Sequence, residues 1–214
     1  MIWLLVLTAT AARAEPLVVV DHALHPAFLL SMAYAREDNF FGQKVYPIEL
    51  CALRRGVADK MVRAQKHLDD QHLGYRLMFK DCYRPDHVQH VMWKSVVGTP
   101  KSAYVADPNT RTGSIHSYGA AVDVTLADRD GKEIDMGTPH DFLGKLAEPR
   151  HEARFLAEKK LTQAQVDARH VLRDAMVFAG MKTIPNEWWH FNDGTPENVR
   201  KKYHRLDVPL DSIR

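Results

Sequence analysis

The sequence predicts a single α+β domain. Its 214 residues fit one ordinary domain, and 45% hydrophobic with 26% charged residues is a globular composition. Segments with a helical spacing of apolar residues are interspersed with short strand-like segments. The connections between them are too irregular for the regular crossovers of a doubly wound parallel sheet, so the pattern favours an α+β architecture.

Three segments show helical patterns. In the first, apolar residues recur at spacings of three and four, and Gly74 follows as the expected end. Pro85 is expected to open the second helix. Thr162 and Gln165 form a capping-box pattern at the start of the third, and Gly180 is expected to cap its end. The predicted helices cover residues 51–73, 85–97 and 162–180.

Alternating or short apolar runs predict strands between these helices. The sequence Asp128-Arg129-Asp130-Gly131 is typical of a hairpin turn. The segments 98–113 and 132–149 are expected to be irregular. The predicted strands cover residues 17–20, 75–80, 120–126, 181–184 and 187–192.

The first fourteen residues have the pattern of a cleavable signal peptide. An apolar run is followed by the small-x-small site Ala12-Arg13-Ala14, which predicts cleavage before Glu15. The mature domain then covers residues 15–214, and we expect it to be exported, most simply to a periplasm. The alternative is that this run is a buried first strand or helix of a cytoplasmic protein.

Charge and composition narrow the class of protein. Lys and Arg total 29 and Asp and Glu total 27, and this near balance argues against a nucleic-acid-binding protein. No apolar run reaches the roughly 18 residues that span a bilayer, so we expect no stable membrane insertion. Twelve histidines are many for this length, which favours a metal or acid–base enzyme.

The two cysteines, Cys51 and Cys82, are a candidate disulfide. In an exported protein an even number of cysteines favours pairing. Closing this loop would stabilise the fold by roughly 3–4 kcal/mol in the chain-entropy model. The alternatives are two buried thiols, or a zinc-ligand role for Cys82.

His116 and Asp123 form the first candidate site. The strand around Asp123 is apolar on both faces, so its carboxylate is costly to bury unless it is paired or binds a cation. The functional interpretation is an oxygen ligand to a metal with His116 beside it, and the alternative is a buried salt bridge to an arginine. A flat strand would place the two residues on opposite faces, so we expect Gly119 to bend the chain and leave His116 in the approach to the strand.

Glu187 and His190 flank two tryptophans in the second candidate site. Apolar walls around a carboxyl group raise its pKa towards that of a general base. In a regular strand Glu187 and His190 would lie on opposite faces, so they share a site only if the chain is irregular at Glu187, which the preceding Pro185-Asn186 favours. The alternative is an aromatic core strand with a buried histidine.

Arg84 lies at the end of a predicted strand, just before a proline-led helix. Loops at strand ends are where scaffolds often carry site residues. A guanidinium group there suits a carbonyl oxygen or a carboxylate, and the alternative is an ordinary surface ion pair.

Together these residues make a three-ligand zinc set. His116, Asp123 and His190 would leave the fourth position open, and two imidazoles favour zinc over magnesium or calcium. Zinc would act as a Lewis acid and generate the nucleophile. Glu187 would deprotonate the water, and Arg84 would stabilise the developing oxyanion.

The combined pattern resembles the zinc-dependent D-alanyl-D-alanine dipeptidases of the VanX type, within the wider D,D-peptidase and hedgehog-like superfamily. The resemblance implies a small α+β domain whose central antiparallel sheet is flanked by helices, with a closed, narrow pocket. It implies hydrolysis of free D-alanyl-D-alanine to two D-alanines, with one Zn²⁺ per chain. It spans about residues 20–191 and rests on Ser114-x-His116-x6-Asp123, Glu187-x-x-His190, Tyr83-Arg84-Pro85 and the segments 35–42 and 136–142.

The resemblance also implies a role for each site residue. Asp141 matches the aspartate that holds the substrate ammonium group, and Ser114 matches a polar residue lining the same pocket. The family's resistance enzymes are cytoplasmic, so an exported chain fits salvage of D-alanine better. The family's zinc ligands are matched by His116, Asp123 and His190. Its catalytic base is matched by Glu187, and its transition-state arginine by Arg84.

Two rival functions stay open. A D,D-carboxypeptidase or endopeptidase of the same superfamily would share the zinc site but cut peptidoglycan stem peptides, whereas Asp141 favours a substrate with a free amino terminus. A zinc-containing binding module would need neither Glu187 nor Arg84. His87 and His90, one helical turn apart, are more simply exposed helix residues than a second metal site, and His140 is among the histidines that receive no role.

Overall fold

The computed structural model describes residues 15–71 and 73–213 of the chain. The predicted signal peptide, residues 1–14, lies outside the described residues. In the part that is described, the chain forms seven strands and five α-helices: β1 (Leu17–Val19), β2 (Leu29–Leu30), β3 (Ala52–Arg54), α1 (Arg55–Asp70), β4 (Arg76–Asp81), α2 (Asp86–Val96), β5 (Ala121–Ala127), α3 (Glu152–Ala157), α4 (Gln163–Phe178), β6 (Lys182–Thr183), β7 (His190–Asn192) and α5 (Pro196–Lys202).

The centre of the fold is a five-stranded sheet in the order β2-β4-β5-β7-β6. The pairs β4–β5, β5–β7 and β6–β7 are antiparallel, and β2–β4 is parallel. Strands β1 and β3 form a separate antiparallel ribbon. The predicted α+β class is confirmed, and the predicted antiparallel sheet carries one parallel pair at its edge.

Helices α1 and α4 contact each other and lie against the central strands β4 and β5. The predicted apolar stripe of α1 is buried, because Val57, Met61, Ala64 and Leu68 are all inaccessible to solvent. At the start of α4, Thr162 and Gln165 make both hydrogen bonds of the predicted capping box. Among the described residues, no helix has the length and apolarity that crossing a bilayer requires.

The alternation of side chains along β5 separates the hydrophobic core from the polar face of the sheet. Val122, Val124 and Leu126 belong to the main hydrophobic cluster. Successive side chains of a strand point to opposite faces, so Asp123 projects from the other side. The helices therefore cover one face of the sheet, and the other face is free to carry a site.

Several elements differ from the predicted ones, and long-range strand pairing accounts for the later start of the first helix. The first helix begins at Arg55 and not at residue 51, because Ala52–Arg54 pairs with Leu17–Val19 as strand β3. Helix α1 also ends at Asp70, before the predicted Gly74. The last strand begins at His190 and excludes Glu187. Helix α3 and the two-residue strand β2 were not predicted.

Cys51 and Cys82 form a disulfide with their Cα atoms 5.2 Å apart, within the usual range for such bonds. The predicted pairing is confirmed, and it removes Cys82 from the set of candidate zinc ligands. Both cysteines are fully buried. The bond ties the residue before β3 to the residue that follows β4, next to the segment that leads to Arg84.

Candidate active site

A row of polar residues crosses three strands of the central sheet. Asp123 on β5 is paired with Asp81 on β4 and with His190 on β7. Adjacent strands lie roughly 4.8 Å apart, so paired side chains on one face can touch. Oδ1 of Asp123 lies 3.0 Å from Nδ1 of His190.

His116 reaches this row from a short 3-10 turn, Ile115–Tyr118, just before β5. Gly119 ends the turn in the left-handed region with φ +67°, and a Cβ atom there would lie 2.5 Å from the side chain of Leu17. Glycine therefore allows the chain to turn sharply into the strand, as expected. Nε2 of His116 comes within 3.4 Å of Oδ1 of Asp123.

Hydrogen bonds fix which ring nitrogen of each histidine faces the site. Nδ1 of His116 donates to the backbone carbonyl of Cys82 at 2.7 Å, and Nε2 of His190 donates to Oδ1 of Asn192 at 2.9 Å. The other two nitrogens, Nε2 of His116 and Nδ1 of His190, are 3.1 Å apart. Each neutral ring has only one N–H, so these nitrogens present lone pairs to each other.

Three electron-pair donors thus converge on one point: His116, Asp123 and His190 each offer an atom within 4.8 Å of the others. Such a set repels itself unless a cation lies between its members, and two imidazoles with one carboxylate are a ligand set that zinc accepts. The donor set therefore fits a metal ion.

Glu187 lies beside this cluster because the chain is irregular before β7. Its Oε2 is 3.8 Å from Nδ1 of His190, and only 9% of the residue is exposed. Trp188 and Trp189 are both buried next to it. Burial raises the pKa of Glu187 to about 8, and the neighbouring Asp123 adds to the shift, whereas His190 opposes it.

Arg84 is held rigidly at the edge of the cluster. Its Nε and Nη2 donate to Oδ2 of Asp81 at 3.0 and 2.5 Å, and its Nη1 donates to Oε1 of Gln89 at 2.7 Å. Nη2 also approaches Oδ2 of Asp123 to 4.0 Å. Burial disfavours the charge, but Asp81 and its neighbours hold the pKa of Arg84 well above its usual value.

Asp141 marks the opposite side of the site. Its Oδ1 accepts a hydrogen bond from the Tyr34 hydroxyl at 3.0 Å. Its Oδ2 is buried and has no hydrogen-bond partner among the residues that the structure describes. Burial raises the pKa of Asp141, and His140 only partly offsets that shift. A buried carboxylate oxygen without a donor is costly, which makes it a natural place for a ligand cation.

One cavity of about 270 Å³ connects these groups. This is smaller than the roughly 300–1,000 Å³ of pockets for drug-sized ligands, so it suits a small molecule. The structure brings all seven sequence-predicted site residues to its wall: Arg84, Ser114, His116, Asp123, Asp141, Glu187 and His190.

Comparison with known proteins assigns the chain to a family. A family model for M15 peptidases, described as D-ala-D-ala dipeptidase, matches residues 13–209. The chain belongs to this family. M15 peptidases are metallopeptidases, in agreement with the triad of His116, Asp123 and His190. The chain is therefore a hydrolase of the dipeptidase class.

Three curated relatives share the name D-alanyl-D-alanine dipeptidase. The protein of Escherichia coli K12 is 31% identical over 175 residues, which cover 81% of this chain and 83% of the relative. The Synechocystis relative is 29% identical over 170 residues, 66% of this chain and 69% of its own length. The Enterococcus faecalis V583 relative is 28% identical over 174 residues, which cover 74% of this chain and 82% of the relative.

Sequence reasoning missed four side chains that shape the site of this M15 chain: Asp81, Gln89, Tyr34 and His140. Asp81 and Gln89 hold Arg84, Tyr34 binds Asp141, and His140 lies between Asp123 and Asp141. Asp81 stands three residues before Arg84, a spacing that could have signalled a partner. The contacts of Tyr34 with Asp141 and of His140 with Asp123 join residues distant in sequence, and no local pattern indicates them.

Proposed function

We propose that the chain hydrolyses free D-alanyl-D-alanine to two D-alanines in a zinc-dependent reaction. The relatives' names supply the substrate class. One observation carries the proposal: a three-donor cluster and a buried carboxylate oxygen that accepts no hydrogen bond from the described residues face the same small cavity. The donor cluster fits a metal beside the scissile bond, and the Asp141 oxygen fits the ammonium group of a free amino terminus.

His116, Asp123 and His190 would hold the zinc ion. Their lone pairs converge, and the hydrogen bonds from His116 to Cys82 and from His190 to Asn192 keep the rings in place. When bound, zinc supplies Lewis acidity and makes water a stronger nucleophile at neutral pH.

Glu187 is proposed to be the general base. It lies outside the donor cluster, 3.8 Å from one of its members, and is enclosed by buried tryptophans. In the metal-free fold burial raises the pKa of Glu187 to about 8, and the positive charge of a bound zinc ion would lower it again. The ionised carboxylate could then take a proton from the attacking water and return it to the leaving amine. His190, three residues later, would hold the metal beside the scissile bond, so Glu187 would also lie near that bond.

Arg84 is proposed to stabilise the negative charge that develops on the carbonyl oxygen. Asp81 and Gln89 hold three of its nitrogens, so the guanidinium group needs no reorganisation during the reaction. Its planar fork also places a permanent positive charge at the cavity wall. Asp81 is fully buried, and its other oxygen is bound by Tyr46, so this support is itself rigid.

Asp141 is proposed to bind the substrate ammonium group, with Ser114 as a further polar contact. Tyr34 already satisfies one oxygen of Asp141, so the second remains for the ligand. A carboxylate–ammonium hydrogen bond is a strong, charge-assisted contact. An acylated amino group cannot make it, and this distinguishes the free dipeptide from the stem peptides that a carboxypeptidase would cut.

Metal removal tests the zinc requirement. The purified chain should release D-alanine from D-alanyl-D-alanine, lose that activity after dialysis against a chelator, and regain it with one equivalent of zinc. Full activity in protein that contains less than a tenth of an equivalent of any metal would contradict the proposal.

We also propose that the chain acts after export, which suits salvage of D-alanine from released wall dipeptide. The Cys51–Cys82 disulfide supports an oxidising compartment. Glu15, the first residue after the predicted cleavage site, is anchored to the fold, since its carboxylate accepts hydrogen bonds from the Gly56 amide and the Tyr203 hydroxyl. The mass of the protein from the periplasmic fraction of its native host should correspond to residues 15–214, and a full-length cytoplasmic product would contradict the proposal.

A further inference from the structure

His140 is a buried histidine at the site to which neither the donor cluster nor the proposed base gives a role. Its side chain is 6% exposed. Its Nε2 lies 3.5 Å from Oδ2 of Asp123, within hydrogen-bonding reach, and its Nδ1 lies 3.4 Å from Oδ2 of Asp141. One imidazole ring therefore stands between the carboxylate of a proposed metal ligand and the carboxylate proposed to bind the substrate ammonium group.

The ring is held in this position by aromatic neighbours. It lies edge-to-face against Trp189, with ring centroids 5.3 Å apart, and against Tyr34 at 6.3 Å. Such aromatic contacts prefer this perpendicular geometry, so they fix the plane of the ring as well as its place. The ring nitrogens therefore have fixed directions relative to both carboxylates.

On the metal side, His140 contacts the oxygen of Asp123 that faces away from the donor cluster. Oδ1 of Asp123 faces His116 and His190, and Oδ2 faces His140. Hydrogen-bond partners that do not themselves bind the metal orient a ligating carboxylate, and their loss typically reduces metal affinity or activity by about 10–100-fold.

On the substrate side, His140 lies beside the oxygen of Asp141 that lacks a hydrogen-bond partner among the described residues. Asp141 has φ +64°, a left-handed conformation that residues other than glycine adopt at a cost. The side chain of Asp141 thus depends on its surroundings, the Tyr34 hydroxyl and the His140 ring, to point into the cavity.

We propose that His140 is a positioning residue that orients Asp123 by donating from Nε2 to Oδ2 while its ring packs beside Asp141, and so sets the distance between the metal and the ammonium-binding carboxylate. The inference rests on the proposed function and extends it. It makes His140 a determinant of both metal affinity and preference for a free amino terminus.

Two substitutions separate the two contacts. The amide nitrogen of glutamine falls near the position of Nε2 of histidine, so His140→Gln keeps a donor to Asp123 but removes the ring beside Asp141. It should therefore keep zinc affinity near that of the unmodified chain and raise KM for D-alanyl-D-alanine. His140→Phe keeps a ring beside Asp141 but removes the donor, so it should lower zinc affinity by about 10–100-fold and leave KM nearly unchanged at saturating zinc.

Zinc affinity is measured by competition with a chromophoric chelator, and KM by release of D-alanine at saturating zinc. His170→Phe is the matched control, because His170 is exposed on α4 and pairs with Glu152 away from the cavity. Thermal melting of every variant identifies any that fails to fold. The proposal is wrong if the folded Gln and Phe variants change zinc affinity and KM in parallel, or if His140→Phe leaves zinc affinity unchanged. A chain that binds zinc but leaves the dipeptide intact would refute the proposed function, and the zinc measurements would still decide the role of His140 at Asp123.

Discussion

Nδ1 of His116 donates a hydrogen bond to the carbonyl of Cys82, with 2.7 Å between the nitrogen and the oxygen. Through this contact the disulfide partner of Cys51 also fixes a candidate metal ligand. The amide of Cys82 donates in turn to Asp81, which holds Arg84. The disulfide therefore supports both the donor cluster and the proposed oxyanion-stabilising arginine.

Removing the disulfide should lower both stability and metal affinity. We expect the double substitution Cys51→Ala and Cys82→Ala to reduce the free energy of unfolding by about 2–5 kcal/mol, because the unfolded chain gains freedom. Urea unfolding of the metal-free protein measures this change. Zinc affinity should fall as well, since the Cys82 carbonyl is then less firmly placed. Equal unfolding midpoints for the two proteins would show that the bond contributes little.

Glu187→Gln should separate metal binding from turnover. The amide keeps the shape of the side chain but cannot accept a proton, so turnover of the dipeptide should fall by roughly 10²–10⁴-fold. Zinc stoichiometry should stay unchanged because Glu187 lies outside the donor cluster. Glu158→Gln, at an exposed position after α3, serves as the control. A Gln variant with near-normal kcat would exclude Glu187 as the base.

The same substitution should change how the stability of the metal-free protein depends on pH. The pKa of Glu187 is about 8 in the fold against an ordinary value of 4.5, so the folded chain retains a proton that the unfolded chain loses. Stability is therefore lost as pH rises from about 4.5 to about 8.

Glutamine does not titrate, so Glu187→Gln removes this pH-dependent loss of stability from the metal-free protein. We expect the melting temperatures of the variant and the unmodified protein to be similar near pH 4.5. By pH 8.5 the variant should melt several degrees higher, since 1 kcal/mol corresponds to roughly 2–4 °C in a chain of this size. A difference in melting temperature that does not change with pH would show that Glu187 titrates normally.

Arg84→Lys should reduce kcat more than it changes KM. A lysine keeps the charge but cannot engage Asp81 and Gln89 through a planar fork, so its ammonium group would be poorly placed for the developing charge. We expect kcat to fall by about 10²–10³-fold, the loss typical of removing one such donor. Arg154→Lys, on the exposed side of α3, is the control. A kcat within threefold of normal would rule out the proposed role.

The sequence predicted the parts of the fold that depend on local chemistry. The capping box of α4, the hairpin turn after β5 and the turn at Gly119 each follow from a few adjacent residues. The start of α1 was placed too early because the pairing of β3 with β1 joins residues more than thirty positions apart. Such pairing overrides local helical periodicity and leaves no local pattern in the sequence.

The residues of the candidate site likewise divide into those that a local sequence pattern predicts and those that depend on contacts formed only in the folded chain. Asp123 was predicted because a carboxylate in an apolar strand needs a partner, and Glu187 because two tryptophans adjoin it. The role of His140 was missed because its partners, Asp123 and Asp141, meet only in the folded chain. Asp81 lies only three residues before Arg84, so its support of that side chain had a local signal, whereas the contact that Tyr46 makes with Asp81 joins residues 35 positions apart. The catalytic and ligand roles remain predictions that the experiments above test.

The dipeptidase function is tested by comparing two substrates, free D-alanyl-D-alanine and its N-acetylated form, with zinc-loaded protein. We expect the free dipeptide to be cleaved with a kcat/KM at least about 100-fold higher, because leaving a buried charged group unsatisfied costs about 3 kcal/mol or more. Asp141→Asn should lose most of that preference by raising KM for the free dipeptide. Faster cleavage of the acetylated substrate would contradict the dipeptidase function and identify a carboxypeptidase. An unchanged preference in the Asp141→Asn variant would show that a different group binds the ammonium.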